Sequence, residues 1–171
     1  VGVARAAFEA ALEWARTYTA GSPHPIIHFQ NVGYVLGDVL ARIEACRYFC
    51  WKAAHYIDQH GYHGELIGAL NKTYCTEELL TSVYRCLQVV GVNSADKKHM
   101  FEKYLREAAI FPIYDGGNFG MQRRRIHGVL ASPGFNPRAL MDNEFVEFTK
   151  EMETIDTIQY MPEEQRPLAQ T

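Results

Sequence analysis

The 171-residue sequence lacks the features of several large classes of protein. No apolar stretch approaches the length of a membrane span, and no signal-peptide pattern opens the chain. Four cysteines do not make a disulfide framework in a chain of this size, and Cys46 and Cys50 are expected to be buried thiols on one helical face. We therefore expect an intracellular protein. The net charge of −3 argues against nucleic acid or a membrane surface as partners.

Familiar catalytic motifs are also absent. The chain has no glycine-rich phosphate loop, no serine nucleophile elbow and no dinucleotide fingerprint. Its one local cluster of metal-ligand residue types shares no helical face, so we expect no metal site. That cluster consists of His55, Asp58, His60 and His63. The basic run at 123–125 is expected to be a solvated helix face, with an anion contact as the alternative.

What the sequence does have is helical periodicity, and no stretch alternates with period two. The longest predicted helix, 27–58, would span about 48 Å, and only comparable helices could cover its apolar stripe. The sequence therefore predicts an all-α, four-helix up-down bundle of long antiparallel helices in residues 1–131. Residues 132–171 form a partly mobile extension in this prediction, with a short helix near 143–154. The predicted helices are 2–19, 27–58, 65–90, 98–114 and 118–131. The stripe consists of Val32, Val35, Leu36, Val39, Leu40, Ile43, Cys46 and Cys50.

The segment from Phe111 to Asn118 closes one helical pattern and opens the next, with Asn118 as a plausible N-cap. Asp115 follows an apolar aromatic run, which should desolvate its carboxylate and make it a stronger base. Gly116 and Gly117 leave room for a flat ligand or a substrate backbone. This is the profile of a general base. A helix-terminating turn with an ordinary solvated carboxylate would use the same residue types.

Amides and small residues near predicted helix ends suit a large heterocyclic cofactor, because they offer neutral hydrogen bonds and close approach. They are Gln30, Gln88, Gly91, Gly117 and Asn118. The same glutamines could equally be ordinary surface residues.

Five motifs in a fixed order resemble the C-terminal helical domain of the acyl-CoA dehydrogenase superfamily of flavoenzymes, from residue 1 to about residue 131. Each motif alone is weak, but the order is specific. The motifs are Pro25-Ile-Ile-His-Phe-Gln30, Gly37-Asp-Val-Leu-Ala-Arg-Ile-Glu-Ala-Cys-Arg47, Gln88-Val-Val-Gly91, Phe101-Glu-Lys-Tyr-Leu-Arg-Glu-Ala-Ala-Ile110 and Ile113-Tyr-Asp-Gly-Gly-Asn118.

The resemblance implies roles for the matching positions. Asp115 falls where the family keeps the carboxylate that removes an α-proton while hydride passes to flavin N5. The substrate would be an acyl-CoA or another small molecule with an acidic α-proton, and the bundle would form a homodimer or homotetramer. Other matching positions fall where the family contacts FAD, partly across a subunit interface. They are Gln30, Gln88, Gly91, Val92, Gly117, Asn118 and Phe119.

Several positions depart from the family pattern. Asp115 replaces the commoner Glu, and Asp-Gly-Gly-Asn is most similar to the nitroalkane oxidases and their fungal relatives. The arginine that those oxidases keep seven positions later is Gln122 here, with Arg123 next to it. Thr19 and Ala20 stand near the position of an arginine that most members have before the long helix.

Three functional hypotheses follow from these matches and departures. The first is an acyl-CoA dehydrogenase-type enzyme, and the second is a nitroalkane oxidase-like enzyme. The third is an inactive helical module that only oligomerises. The family's two N-terminal domains, one helical and one a β-barrel-like sheet, are missing, so this chain alone is expected to be inactive.

Overall fold

The computed structural model describes residues 1–144, and within them every regular element is helical, as predicted. Two long helices and one of intermediate length form the body of the fold, and three shorter helices follow them. The α-helices are α1 (Gly2–Thr17), α2 (Gln30–His60), α3 (Glu65–Val90), α4 (Phe101–Ile110), α5 (Arg123–Leu130) and α6 (Pro137–Met141). Short 3-10 turns lie at Ile26–His28, Gly61–Gly64 and Gly91–Ala95, and a π-helical turn covers Gly117–Gln122.

Helices α2 and α3 form an antiparallel hairpin, joined by the turn Gly61–Gly64. Its register is set by paired side chains: Arg42 binds Glu78, the Cys75 thiol donates to the Cys46 carbonyl at 3.6 Å, and Asn71 binds Cys50. Each successive pair lies closer to the turn, as expected for two antiparallel helices. In the same register, away from the turn, the beginning of α2 lies beside the end of α3.

The core lies where α1 packs against α3 and α2. Four alanines of α1 recur at helical spacing and are fully buried, which lets the backbones approach closely: Ala4, Ala7, Ala11 and Ala15. The apolar stripe predicted for α2 is confirmed by four buried side chains, Leu36, Val39, Ile43 and Cys46. The exception is Leu40, which is 45% exposed. It is rotated to the edge of the face that the other four define.

The bounds of the later helices differ from the predictions, whereas α3 was predicted residue for residue. The predicted helix 98–114 is shorter, Phe101–Ile110, and the chain turns after it. The predicted N-cap at Asn118 is wrong, because α5 begins only at Arg123 and the Asn118 side chain is buried against α3. The bundle therefore has only three helices longer than ten residues in the described part.

Two further predictions concern the end of the chain and the membrane. The predicted helix near 143–154 falls almost wholly on residues 145–171, which lie outside the described residues, and so does the larger part of the extension predicted for 132–171. The described beginning of that extension contains α6 and is bonded to α2, where Lys52 and Tyr56 donate to the carbonyls of Met141 and Glu144. Within 1–144, none of the helices combines the length and the apolar character needed to cross a membrane.

Candidate functional site

The predicted base lies on a tight turn that follows α4. The backbone N–H of Tyr114 donates to the Ile110 carbonyl at 3.1 Å, and three left-handed residues come next. Their φ angles are +54° at Asp115, +77° at Gly116 and +66° at Gly117. Glycine adopts this conformation without penalty, and aspartate is among the few other residues that tolerate it. This sequence of residue types therefore suits the turn.

The chain that leaves the turn folds back on it. The Asn118 N–H donates to the Pro112 carbonyl at 2.8 Å. The buried Gln122 side chain donates through Nε2 to the Asp115 carbonyl at 3.0 Å. A Cβ at Gly116 would lie 2.5 Å from the Met121 Sδ, so the returning chain also excludes a side chain there. The backbone of Asp115 is thus fixed by contacts on both sides.

Helix α3 supports the turn through Asn118. The amide nitrogen Nδ2 of Asn118 donates to Thr76 Oγ1 at 2.8 Å and reaches Glu77 Oε1 at 3.2 Å and the Thr73 carbonyl at 3.3 Å. The Asn118 residue is 2% exposed. Since its side chain is engaged by α3, its predicted contact with FAD would have to come from the backbone.

A second α3 residue, Lys72, also binds the turn. Its Nζ donates to the Phe111 carbonyl at 2.9 Å and to Asn118 Oδ1 at 3.4 Å. The same ammonium lies 4.7 Å from the centre of the Tyr114 ring, a cation–π contact. Lys72 thus touches residues before and after Asp115.

An open groove of about 430 Å³ lies beside the turn, between the end of α2 and the beginning of α3. Small residues, Gly64, Gly68 and Ala69, form part of its lining, and Asp115 and Lys72 also line it. Its volume is within the range of about 300–1,000 Å³ that small-molecule sites occupy. A slender or flat ligand could therefore reach the turn along this groove.

The Asp115 side chain is exposed, which contradicts the expectation that apolar neighbours desolvate it. Ile113 and Tyr114, which were expected to enclose it, are themselves 69% and 51% exposed because the turn projects them outward. Within residues 1–144 the carboxylate therefore matches the alternative description, a solvated group on a helix-terminating turn.

The remaining predicted cofactor residues lie at the opposite end of the α2–α3 hairpin. Gln30 begins α2, and Gln88, Gly91 and Val92 end α3, so the antiparallel register gathers them. Val92 is 87% exposed. Twelve residues of α3 separate Gln88 from Thr76, where the turn is attached, which is about 18 Å along the helix. The predicted cofactor residues thus form two groups at different positions along α3, and Gly117 and Phe119 belong to the group at the turn.

Sequence reasoning missed the α3 residues that hold the turn. A signal existed, because Lys72, Thr73, Thr76 and Glu77 form a polar patch at helical spacing on a largely apolar helix. The prediction that the basic run at 123–125 is a solvated helix face holds only in part. All three arginines of 123–125 are exposed, as expected, but Arg123 binds Glu77 at 2.9 Å and Arg125 binds Glu65 at 2.9 Å.

The thiols and histidines form no competing site in the described residues. No group of three or more His, Cys, Asp or Glu is placed to hold a metal ion within 1–144. Cys46 is buried as predicted and Cys50 partly so. The hydrogen bond from Cys75 lowers the pKa of Cys46 and raises that of Cys75. Burial raises the pKa of Cys86 to about 12.

Comparison with known proteins relates this fold to enzymes. Residues 1–130 match the family model "Acyl-CoA dehydrogenase, C-terminal domain". A nitroalkane oxidase of Fusarium oxysporum is 33% identical over 142 residues, which cover 81% of this chain and 32% of the relative. A cyclohex-1-ene-1-carbonyl-CoA dehydrogenase of Syntrophus aciditrophicus is 29% identical over 118 residues, 69% of this chain and 28% of the relative.

Solved structures give the same relationship. A nitroalkane oxidase active-site mutant crystallised with 1-nitrooctane superposes with a TM-score of 0.80 at 32% identity, over 84% of this chain and 34% of that one. Butyryl-CoA dehydrogenase of Megasphaera elsdenii gives 0.71 at 26% identity, over 77% and 33%. The chain thus spans about a third of the length of the relatives it matches.

Proposed function

The chain belongs to the acyl-CoA dehydrogenase family, as its C-terminal domain, and from this premise we propose that it supplies the catalytic base of an FAD-dependent oxidoreductase. Asp115 is that base in the proposal. It removes a proton from the carbon next to a carbonyl or nitro group of a small substrate. FAD and the substrate class belong to the proposal, as do the N-terminal α and β domains of the family.

The observation that carries the proposal is the geometry of the Asp115 turn. An exposed carboxylate lies beside an open groove, on a backbone that Gln122 and Asn118 hold in a left-handed conformation. A general base gains from being held close to the position in which it reacts.

The described residues fit a flavin in two respects. The surface at Gly117 is open, because a Cβ there would have only the Pro112 carbonyl within 4 Å, at 3.8 Å. Two apolar side chains, Val92 and Phe119, are 87% and 91% exposed, one in each group of predicted cofactor residues. Two such separate groups suit an extended dinucleotide whose ends are held separately. Gln30 and Gln88 would offer amide hydrogen bonds at the end far from Asp115.

The chemistry of the base follows from its charge. The Asp115 carboxylate takes up the α-proton and becomes a carboxylic acid, while the electron pair of the C–H bond stays on the substrate and spreads onto the carbonyl or nitro oxygens. Bound FAD would supply the acceptor for the two electrons that the deprotonated substrate then gives up. The groove beside Asp115 admits the substrate, and its small residues Gly64 and Gly68 keep that path open.

A nitroalkane substrate is the second candidate function, beside an acyl-CoA thioester. Its support is the similarity pattern, since two fungal nitroalkane oxidases are 33% and 32% identical, against 29% and 27% for two acyl-CoA-type dehydrogenases. Asp115 in place of Glu also favours it. One of the matching nitroalkane oxidase structures comes from an analysis of the roles of an aspartate and an arginine, and in that protein the arginine lies seven residues after the aspartate. Gln122 stands seven residues after Asp115 and binds the Asp115 carbonyl, so this chain has a neutral amide at that spacing and departs there from the nitroalkane oxidase pattern.

Assembly into a homodimer or homotetramer is also proposed. The outer face of the α2–α3 hairpin carries large exposed side chains, including Tyr34, Tyr48, Trp51 and Tyr84, which are 53–68% exposed. Burying such aromatic surface is the usual driving force of stable association.

The test of the proposed function uses the full-length protein with its flavin. Asp115→Asn should lower kcat/KM by about 10²–10⁴-fold, because a positioned base contributes that much. Asp115→Glu keeps the charge and should retain part of the activity. Asp142→Asn removes an exposed carboxylate that pairs with Arg138 away from the turn, and should leave activity unchanged.

Two assays distinguish the substrate classes: oxygen uptake with 1-nitrooctane, and reduction of a dye acceptor with butyryl-CoA. If Asp115→Asn keeps activity within a few-fold of wild type, Asp115 is not the base. A protein that takes up no FAD and turns over neither substrate would instead support the oligomerising module.

A further inference from the structure

We propose that Lys72 is a positioning residue for Asp115, and that it acts by holding the two ends of the Asp115 turn together. The proposal rests on the proposed function, because it assumes that the Asp115 carboxylate reacts. Lys72 lies on α3, far from Asp115 in sequence. It binds the carbonyl of Phe111 before the turn and the side chain of Asn118 after it.

The charge of Lys72 suits the place it occupies. The Phe111 carbonyl follows directly on the last residue of α4, where unpaired carbonyls and the helix dipole favour a cation. The Tyr114 ring lies against the same ammonium, 4.7 Å away. An apolar side chain of similar length, such as methionine, could fill the space, but it could satisfy neither oxygen.

Lys72 also complements the orientation of the Asn118 amide. The ammonium can only donate, so it must meet the amide oxygen. The Thr73 carbonyl and the Glu77 carboxylate can only accept, so they must meet the amide nitrogen. This division of donors and acceptors leaves one orientation for the Asn118 side chain, and with it one attachment of the turn to α3.

Without Lys72, the turn would lose its hydrogen bond to α3 at Phe111 and one of the four hydrogen bonds that attach the Asn118 side chain to α3. The Gln122 bond to the Asp115 carbonyl would remain. The carboxylate would then sample orientations that do not reach the substrate's proton. Because substrate binding does not require that alignment, the loss should appear in kcat and not in KM.

The test compares Lys72→Met with Lys52→Met in the full-length holoenzyme. Lys52 is a matched control, since its ammonium also binds a backbone carbonyl, that of Met141, at 3.2 Å and away from the turn. We expect Lys72→Met to lower kcat about 10–100-fold, as for a misaligned reacting group, with KM within about threefold. Lys52→Met should stay within about twofold, and Lys72→Arg, which keeps the donor and the charge, should recover part of the loss.

A second readout is independent of turnover: amide hydrogen exchange of residues 113–118 in the flavin-free protein. We expect exchange there to be about tenfold faster in Lys72→Met, since local opening governs it, and unchanged in Lys52→Met. Equal kcat in the two methionine variants, or unchanged exchange in Lys72→Met, would overturn the proposal. So would loss of the helical circular dichroism signal, because Lys72 would then support the whole fold. An active Asp115→Asn variant would refute the proposed function, whereas an inactive one beside a fully active Lys72→Met would refute only the role of Lys72.

Discussion

Two glycines in the groove should respond oppositely to the same substitution. Gly64 joins the hairpin turn to α3, and its φ of −74° would suit alanine. A Cβ there, however, would lie 3.1 Å from the Ile57 Cα and 3.2 Å from its Cβ, with the Cγ1 closer still. Two of these atoms belong to the backbone or the base of the side chain, so a rotamer change cannot relieve the contact.

The size of the effect follows from these distances. Overpacking of this kind costs about 1–3 kcal/mol of unfolding free energy in Gly64→Ala. At Gly68, one turn further along α3, the nearest atom to a new Cβ would be Ile57 Cδ1 at 3.9 Å, which is ordinary contact. Gly68→Ala should therefore gain about 0.5–1 kcal/mol, because alanine is the better residue in a helix. The two variants should differ by about 1.5–4 kcal/mol.

Urea unfolding followed by far-UV circular dichroism measures this difference. Gly64→Ala should lower the midpoint and Gly68→Ala should raise it, with the slope m unchanged in both. If Gly64→Ala were as stable as Gly68→Ala, the close approach of the hairpin turn to Ile57 would be refuted. The lining of the groove by Gly64 would then need to be revised.

Three further predictions concern the turn, a thiol and an ion pair. Gly116→Ala should cost about 1–2 kcal/mol in thermal unfolding, because alanine resists a φ of +77°; an unchanged melting temperature would contradict this. Since burial raises the pKa of Cys86 to about 12, iodoacetamide at pH 8 should leave it unmodified while the partly buried Cys50 reacts. Equal labelling by mass spectrometry would contradict the burial. Arg123→Ala should cost at most about 1 kcal/mol, because the pair with Glu77 is half exposed; a loss above 2 kcal/mol in urea unfolding would show a stronger role.

The long helices were predictable because their signal is local and repeated. Helix α3 begins and ends where glycine-containing turns interrupt its pattern, and its bounds Glu65–Val90 match the prediction. The bounds predicted for α2, 27–58, differ by two or three residues from the observed Gln30–His60. The reason is that Ile27 belongs to a 3-10 turn, which the apolar pattern does not distinguish from an α-helix. Periodicity also identified the buried face, except at its edge, where Leu40 lies.

The attachments of the Asp115 turn were not predictable in the same way. Asn118 is a good N-cap residue, and sequence reasoning assigned it to the amides of its own helix. In the structure α3 offers it a hydroxyl, a carbonyl and a carboxylate, and this tertiary partner replaces the local one. Lys72 lies 43 residues before Asp115 in the numbering, so no local pattern relates them. Periodicity identifies the polar patch on α3 that contains Lys72. Which other segment of the chain that patch contacts depends on how the bundle packs.

The exposed Asp115 carboxylate shows how the proposed catalysis would divide between this chain and what binds to it. A general base needs both a fixed position and a partly dehydrated setting. The described residues supply the first, through Gln122, Asn118 and Lys72. They do not supply the second, since Ile113 and Tyr114 stand outward. These outward apolar side chains are suitably placed to pack against a flavin, a substrate or a neighbouring domain, so dehydration of Asp115 would come with their burial. Proton abstraction would then begin only once the site is assembled around the turn.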